Sequence, residues 1–221
     1  MNLASEAGSG GLELRSRSLS IEGREFSERN VCVIAEVAQA HDGSLGLAHA
    51  YIDAIADAGA DAVKFQTHIA NAESTRREAW RIRFSQQDAT RYDYWKRLQF
   101  TPEQWHGLRR HAAARNVIFL SSPFSPEAVD LLRELKTPAW KVASGEVSNT
   151  PLLTEMLKDR LPMVISSGLS DFDELSRTVA LCRSSGAPLA LLQCTTAYPC
   201  PPERVHLGRM VEFEKRFQLP V

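Results

Sequence analysis

An α/β fold of the TIM-type (β/α) barrel class, incomplete at about six of eight β/α units, is what the sequence predicts, and three observations carry it. Short β-rich apolar runs recur without polar alternation, as parallel strands buried on both faces do. Helix-start signals stand between the runs. No GxGxxG follows the first run, which removes the main pointer to a dinucleotide-binding open sheet. From the third run onward the starts are separated by about 22 to 26 residues, the length of one β/α unit. The 221 residues fall short of the roughly 250 typical of a complete barrel.

Residues 1–30 are expected to form a flexible tail and an N-terminal hairpin, with 12–21 (LELRSRSLSI) partly alternating ahead of Glu22-Gly23. Residues 31–221 form the barrel domain. Its first run, 31–37 (VCVIAEV), leads through Asp42-Gly43-Ser44 into a helix with Leu47, Tyr51, Ile55 and Ala58 at helical spacing, ending near Gly59. After the second run, 62–67 (AVKFQT), comes an insertion, 68–100, rich in Arg, Asp and aromatic residues. Connections of that length in barrels are often active-site lids. The next helix opens at Thr101-Pro102-Glu103-Gln104, with an N-cap, proline at the first helical position and Gln at the capping-box position. The remaining runs are 117–124 (VIFLSSPF), 139–145 (AWKVASG), 163–168 (MVISSG) and 189–195 (LALLQCT). Ser125-Pro126 and Thr150-Pro151 repeat the cap-plus-proline signal, and Asp171, Asp173 and Glu174 suit the first turn of a helix.

A content of 43% hydrophobic and 24% charged residues argues against disorder and coiled coil. Lys and Arg total 26 against 27 acidic residues, a net charge of -1 that offers no field for nucleic acid or an anionic membrane. Small molecules are the expected partners. Cys32, Cys182, Cys194 and Cys200 form no CxxC pair, which fits a reducing cytoplasm. No run approaches about 18 apolar residues, and residues 1–11 lack the pattern of a signal peptide.

Charges inside apolar strands are the informative anomaly, because an unpaired buried ion costs several kcal/mol. Glu36, Lys64 and Lys141 lie within or towards the C-terminal ends of the first, second and fourth runs, where barrel active sites are built, and Glu146 follows in the loop after the fourth. One reading is a structural Glu–Lys network in the barrel mouth. The other is an anion site with an acid or base beside it. Two lysines with the hydroxyls of Ser122, Ser144, Ser166 or Ser167 suit a molecule bearing both phosphate and carboxylate, as phosphoenolpyruvate does. Spacing does not choose it over a sugar phosphate, nor exclude a Schiff-base aldolase using Lys64 or Lys141. His41 is a candidate for lining the pocket and His68 a weaker one, while His49, His106, His111 and His206 are assigned packing or solvent-facing roles. Tyr92, Tyr94 and Trp95 read as lid packing more than as a sugar-stacking surface.

The ordered motifs IAEVAQAHDGSL, GADAVKFQT, FLSSPF, PAWKVASGE, ISSGLS and CTTAYPCPPE resemble those of the N-acetylneuraminate (sialic acid) synthase family. The resemblance implies condensation of phosphoenolpyruvate with an N-acyl hexosamine, such as N-acetylmannosamine, to a nine-carbon 2-keto sugar acid. By position, Lys64, Lys141, Ser144 and Ser122 match the family's phosphoenolpyruvate contacts, Glu36 a pocket carboxylate, and Gln66, Glu146 and Tyr198 the lining of the same pocket. Glu36 and Glu146 are the catalytic candidates. The chain departs from the family at Ala40-His41-Asp42-Gly43, at Gln193-Cys194-Thr195 and at Thr196, where relatives carry Ser or Asn. The resemblance also implies a divalent metal, Mn2+ or Mg2+, on two histidines that would follow Val221, so no metal ligand is assigned here. A homodimer is the assembly that it suggests. The competing expectation is a truncated barrel that binds ligand without turnover, with an open strand edge.

Overall fold

Side chains alternate across a strand, and here the two faces meet different neighbours. The computed structural model describes residues 17–80, 82–83 and 85–221. Six strands form the wall: β3 (Ile34–Ala38), β4 (Ala62–Thr67), β5 (Ile118–Pro123), β6 (Trp140–Val142), β7 (Met163–Ser166) and β8 (Leu189–Leu192). They pair in parallel as two ladders, β3-β4-β5 and β6-β7-β8, and β5 lies beside β6 without a ladder between them among the described residues. This is the wall of an incomplete, unclosed TIM-type barrel. Ahead of it stands a hairpin, β1 (Ser18–Ile21) and β2 (Arg24–Ser27). The tail expected over residues 1–11, and residues 12–16 of the alternating run, lie outside the described residues.

The outer face of the wall, with Phe65, Phe119, Trp140, Met163, Ile165 and Leu191, packs under a helix layer. That layer is α1 (Leu45–Asp57), α4 (Pro102–Ala114), α5 (Pro126–Glu134), α6 (Thr150–Leu157), α7 (Phe172–Ser185) and α8 (Arg209–Phe217), with α2 (Ala70–Glu73) and α3 (Arg91–Leu98) in the 68–100 insertion. Each large side chain buried there contributes about 1.5–3 kcal/mol. The inner face begins apolar, where Ala62, Ile118, Leu120, Ala139 and Val164 pack on Leu19, Ile21 and Phe26 of the hairpin. One step further along each strand it turns polar. The hairpin therefore covers the N-terminal end of the wall and leaves the C-terminal end for chemistry.

Local signals start the helices. Ser44, Ser125 and Asp171 cap α1, α5 and α7 with side-chain oxygens, and Thr101 with Gln104 forms a full capping box on α4. Three expectations need correction. The cap of α6 is Asn149, whose side chain accepts from Leu152 N–H, so Thr150 is already helical. On α1, Tyr51 and Ile55 pack half-buried against the core as expected, but the fully buried positions are Ala48 and Ile52, while Leu47 is 41% exposed and Ala58 is exposed too; small Ala48 lets the helix lie close to the wall. The first strand begins at Ile34 because Val33 is tied to Asp61 instead, its N–H donating to the Asp61 carboxylate at 2.8 Å and its carbonyl accepting from Asp61 N–H at 3.0 Å.

The insertion is anchored to the loop after β3. Arg97 of α3 pairs with Asp42 at 2.6 Å and with the buried Asp88 at 2.8 Å, and the α3 backbone passes directly over Gly43. Past α8 the chain returns to the wall, where Leu191 N–H donates to Pro220 O at 2.9 Å.

Candidate active site

Inner-face positions at the strands' C-terminal ends bring together Glu36, Lys64, Gln66, Ser122, Lys141 and Ser166. Register sets Glu36 opposite Lys64 and Gln66 opposite Ser122. Lys64, buried, donates to Glu36 Oε2 at 2.7 Å, whereas Glu36 keeps 47% of its side chain exposed at the mouth. Lys141 is buried too, and its amine donates to Ser166 Oγ at 2.5 Å and Val142 O at 3.0 Å. No carboxylate pairs with it among the described residues. Burial, reinforced by the positive charge of Lys64, pushes the Lys141 ammonium down to about 8. Two buried lysines beside a single half-exposed carboxylate that bonds only Lys64 leave an unbalanced positive charge, the condition that an anionic ligand relieves.

Hydroxyls complete the surroundings. Ser122 Oγ is fully buried with no hydrogen-bond partner among the described residues, so a donor and acceptor stands ready inside the mouth. Ser144, in the short 3-10 turn after β6, accepts from Gly168 N–H at 3.2 Å. A Cβ on residue 168 would come within 2.7 Å of Thr196 Oγ1 and 3.0 Å of Ser144 Oγ. Only glycine permits that convergence. The sequence leaves Thr196 unassigned, and the structure sets its hydroxyl beside Ser144; the signal that points to it is Gly168 itself.

Glu146 lies in the same turn, half-buried, with Oε2 accepting from Asn149 Nδ2 at 2.7 Å. Gln66 is held from the other side, its Oε1 3.2 Å from His68 Nε2. Tyr198 is not brought into the cluster. It is 95% exposed in the loop after β8. The lid aromatics pack as expected, with Trp95 stacked on His68 at 3.8 Å and Tyr94 edge-on to Trp95.

His41 is buried beneath the lid against Phe100, its Nδ1 accepting from Gly43 N–H at 3.1 Å and its Nε2 without a partner among the described residues. Burial pushes it down to about 4. The unfolded chain then takes up a proton near pH 6.5 that the folded chain refuses until about pH 4, so stability falls as pH drops through that window, by up to about 3 kcal/mol. Urea midpoints at pH 7 and pH 4.5 measure this, and His41→Asn is expected to flatten the difference. An equal acid loss in the variant would assign the slope to other groups.

Among the described residues no group of three or more His, Cys, Asp or Glu side chains is placed to hold a metal ion, and no helix is long and apolar enough to cross a membrane. Comparisons agree on the relationship. The chain is 34% identical over 199 residues to the N,N'-diacetyllegionaminic acid synthase of Campylobacter jejuni, covering 87% of this chain and 60% of that protein. It is 33% identical to the N-acetylneuraminate-9-phosphate synthase of Homo sapiens, covering 88% and 55%. The chain thus spans about half to three-fifths of the length of these curated relatives. The crystal structure of a sialic acid synthetase from Leptospira borgpetersenii superposes with a TM-score of 0.80 at 23% identity over 93% of this chain and 68% of that one, a likeness of fold. Residues 51–221, most of the sequence, match the NeuB family, and with these relatives on either side the chain belongs to that family.

Proposed function

We propose that this chain serves the condensation of phosphoenolpyruvate with an N-acyl hexosamine, such as N-acetylmannosamine, giving a nine-carbon 2-keto sugar acid and phosphate. The observation that carries the reading is the pairing of two buried lysines, one without a carboxylate partner among the described residues, with a Ser122 hydroxyl at the mouth that has no partner among them either. The names of the relatives, an N,N'-diacetyllegionaminic acid synthase and an N-acetylneuraminate-9-phosphate synthase, support the product class.

In this reading Lys141, Ser144 and Ser122 hold the phosphate and carboxylate of phosphoenolpyruvate, with Lys64 adding charge from β4. The nucleophilic methylene carbon attacks the open-chain aldehyde carbon, and the aldehyde oxygen takes a proton from a carboxyl group on the sugar side, which the water that adds later restores as it gives up its own proton. Glu36 and Glu146 sit on the sugar side, orienting and activating it, the latter already aimed by Asn149. Water then adds to the cationic carbon that carried the phosphate ester, and phosphate departs to leave the keto group. Gln66 lines the sugar side as well. A divalent cation, Mn2+ or Mg2+, belongs to the family expectation; the described residues do not fit one, and the steps above run through side chains alone. A cytoplasmic setting is part of the proposal, supported by four free cysteines.

Titration calorimetry with phosphoenolpyruvate tests the anion site, and phosphate release with N-acetylmannosamine and Mn2+ tests turnover. Binding that weakens with added phosphate or pyruvate is expected; an absence of heat at millimolar phosphoenolpyruvate would remove the reading. Binding without release would identify a ligand-holding barrel. The lowered Lys141 also suits an imine-forming aldolase, a second reading that borohydride trapping with a keto acid decides.

A further inference from the structure

His68 stands just beyond β4, and its surroundings fix it more tightly than any other histidine described above. The ring is clamped between Trp95 at 3.8 Å and Phe124 at 4.2 Å, both within 17° of parallel. Its Nδ1 lies 2.6 Å from Glu73 Oε2, and the other Glu73 oxygen accepts from Ile69 N–H at 2.6 Å. A carboxylate accepting through both oxygens requires the proton to sit on Nδ1. The far nitrogen, Nε2, meets the Gln66 side-chain amide.

That contact has two consistent forms. A doubly protonated ring donates from Nε2 to the amide oxygen, which turns the Gln66 NH2 towards the barrel interior. A neutral ring offers a lone pair at Nε2, which needs the NH2 and turns the amide oxygen inward. We propose that His68 is a positioning residue that sets which end of the Gln66 amide faces the sugar, and so whether the pocket presents a hydrogen-bond donor or an acceptor there. The sugar as occupant rests on the function proposed above; the coupling of ring to amide does not. The groups facing the ring are Glu73 from α2, Gln66 from β4, Trp95 from α3 with the Arg91 guanidinium stacked over it, Phe124 after β5, and His41, whose protonation the His68 charge opposes.

The test is 15N NMR of the full chain from pH 5 to 8, following the His68 ring and the Gln66 side-chain NH2 together. The Gln66 NH2 resonance is expected to change in step with the ring, and Glu73→Gln, which removes the carboxylate partner of Nδ1, is expected to alter both resonances together. A Gln66 amide that stays flat while the ring titrates overturns the proposal, as does a ring that shifts alone in the variant. Calorimetry separates the two layers. His68→Phe keeps the stacked ring and is expected to weaken N-acetylmannosamine binding at least tenfold and abolish its pH dependence, with phosphoenolpyruvate binding as the check that the anion site is intact. Unchanged sugar binding overturns the positioning role. Failure of the parent chain to bind phosphoenolpyruvate sinks the functional reading, while the amide titration still decides the coupling.

Discussion

Replacing Lys141 by Met should weaken phosphoenolpyruvate binding at least 100-fold while making the protein more stable. The side chain is 6% exposed, and burial pushes its ammonium from 10.5 down to about 8. The unfolded chain keeps that proton up to about pH 10.5, so the folded state binds fewer protons between about pH 8 and 10.5 and stability rises with pH across that interval. Below pH 8 the buried charge costs the fold about 3 kcal/mol. Met keeps the stem's volume and removes the charge, at the loss of the bonds to Ser166 and Val142 O, about 1 kcal/mol each. A net gain of about 1 kcal/mol at pH 7 follows from these terms. Urea midpoints of both proteins at pH 7 and pH 10 check the stability half, because the advantage should vanish at the higher pH. Calorimetry checks the other half, and a variant that binds like its parent would take Lys141 out of the site.

Gly43→Ala is expected to destabilise the protein by about 3 kcal/mol or more and to loosen the lid. Gly43 has φ +80, and a Cβ there would come within 2.6 Å of the Arg97 carbonyl oxygen, a backbone atom held by α3. Displacing α3 pulls Arg97 from Asp42 and withdraws the N–H that Gly43 donates to His41. Gly59→Ala is the control. It shares the left-handed backbone, φ +77, with nothing within 4 Å, so it should lose only about 1 kcal/mol. Hydrogen exchange across α3 should rise in the first variant alone. Equal losses and equal exchange at the two glycines would show that the close approach carries no stability.

The strands are legible because residues buried on both faces read as continuous apolar runs, and Lys64 and Lys141 stand out within them for the same reason. Thr101 and Ser125 are legible because a cap followed by proline has few other uses. The face of α1 is not: a scan for bulky residues picks Leu47, while the wall selects Ala48 for its small size. Asn149 and Thr150 are both capping types, and the sequence does not rank them. The surroundings of His68 draw on Trp95 and Phe124, far along the chain, so no local pattern announces them. Thr196 enters through the missing side chain of Gly168. Tyr198, matched by resemblance, stays out in solvent.

The wall's two ladders share no strand, and each is contiguous in sequence, β3 to β5 and then β6 to β8. The groups proposed to hold the anion divide along the same seam: Lys64 and Ser122 belong to the first half-barrel, Lys141, Ser144 and Ser166 to the second. A ligand with two anionic ends is then a rivet. It would add RT ln(1 + [L]/Kd) to the stability of the whole, about 2.7 kcal/mol at a hundredfold excess over Kd, and would act across the β5–β6 junction, where no ladder forms among the described residues. If the proposed ligand binds there, the halves, otherwise joined across the seam by side-chain packing, should melt as a single cooperative unit with the bound molecule as the cross-piece.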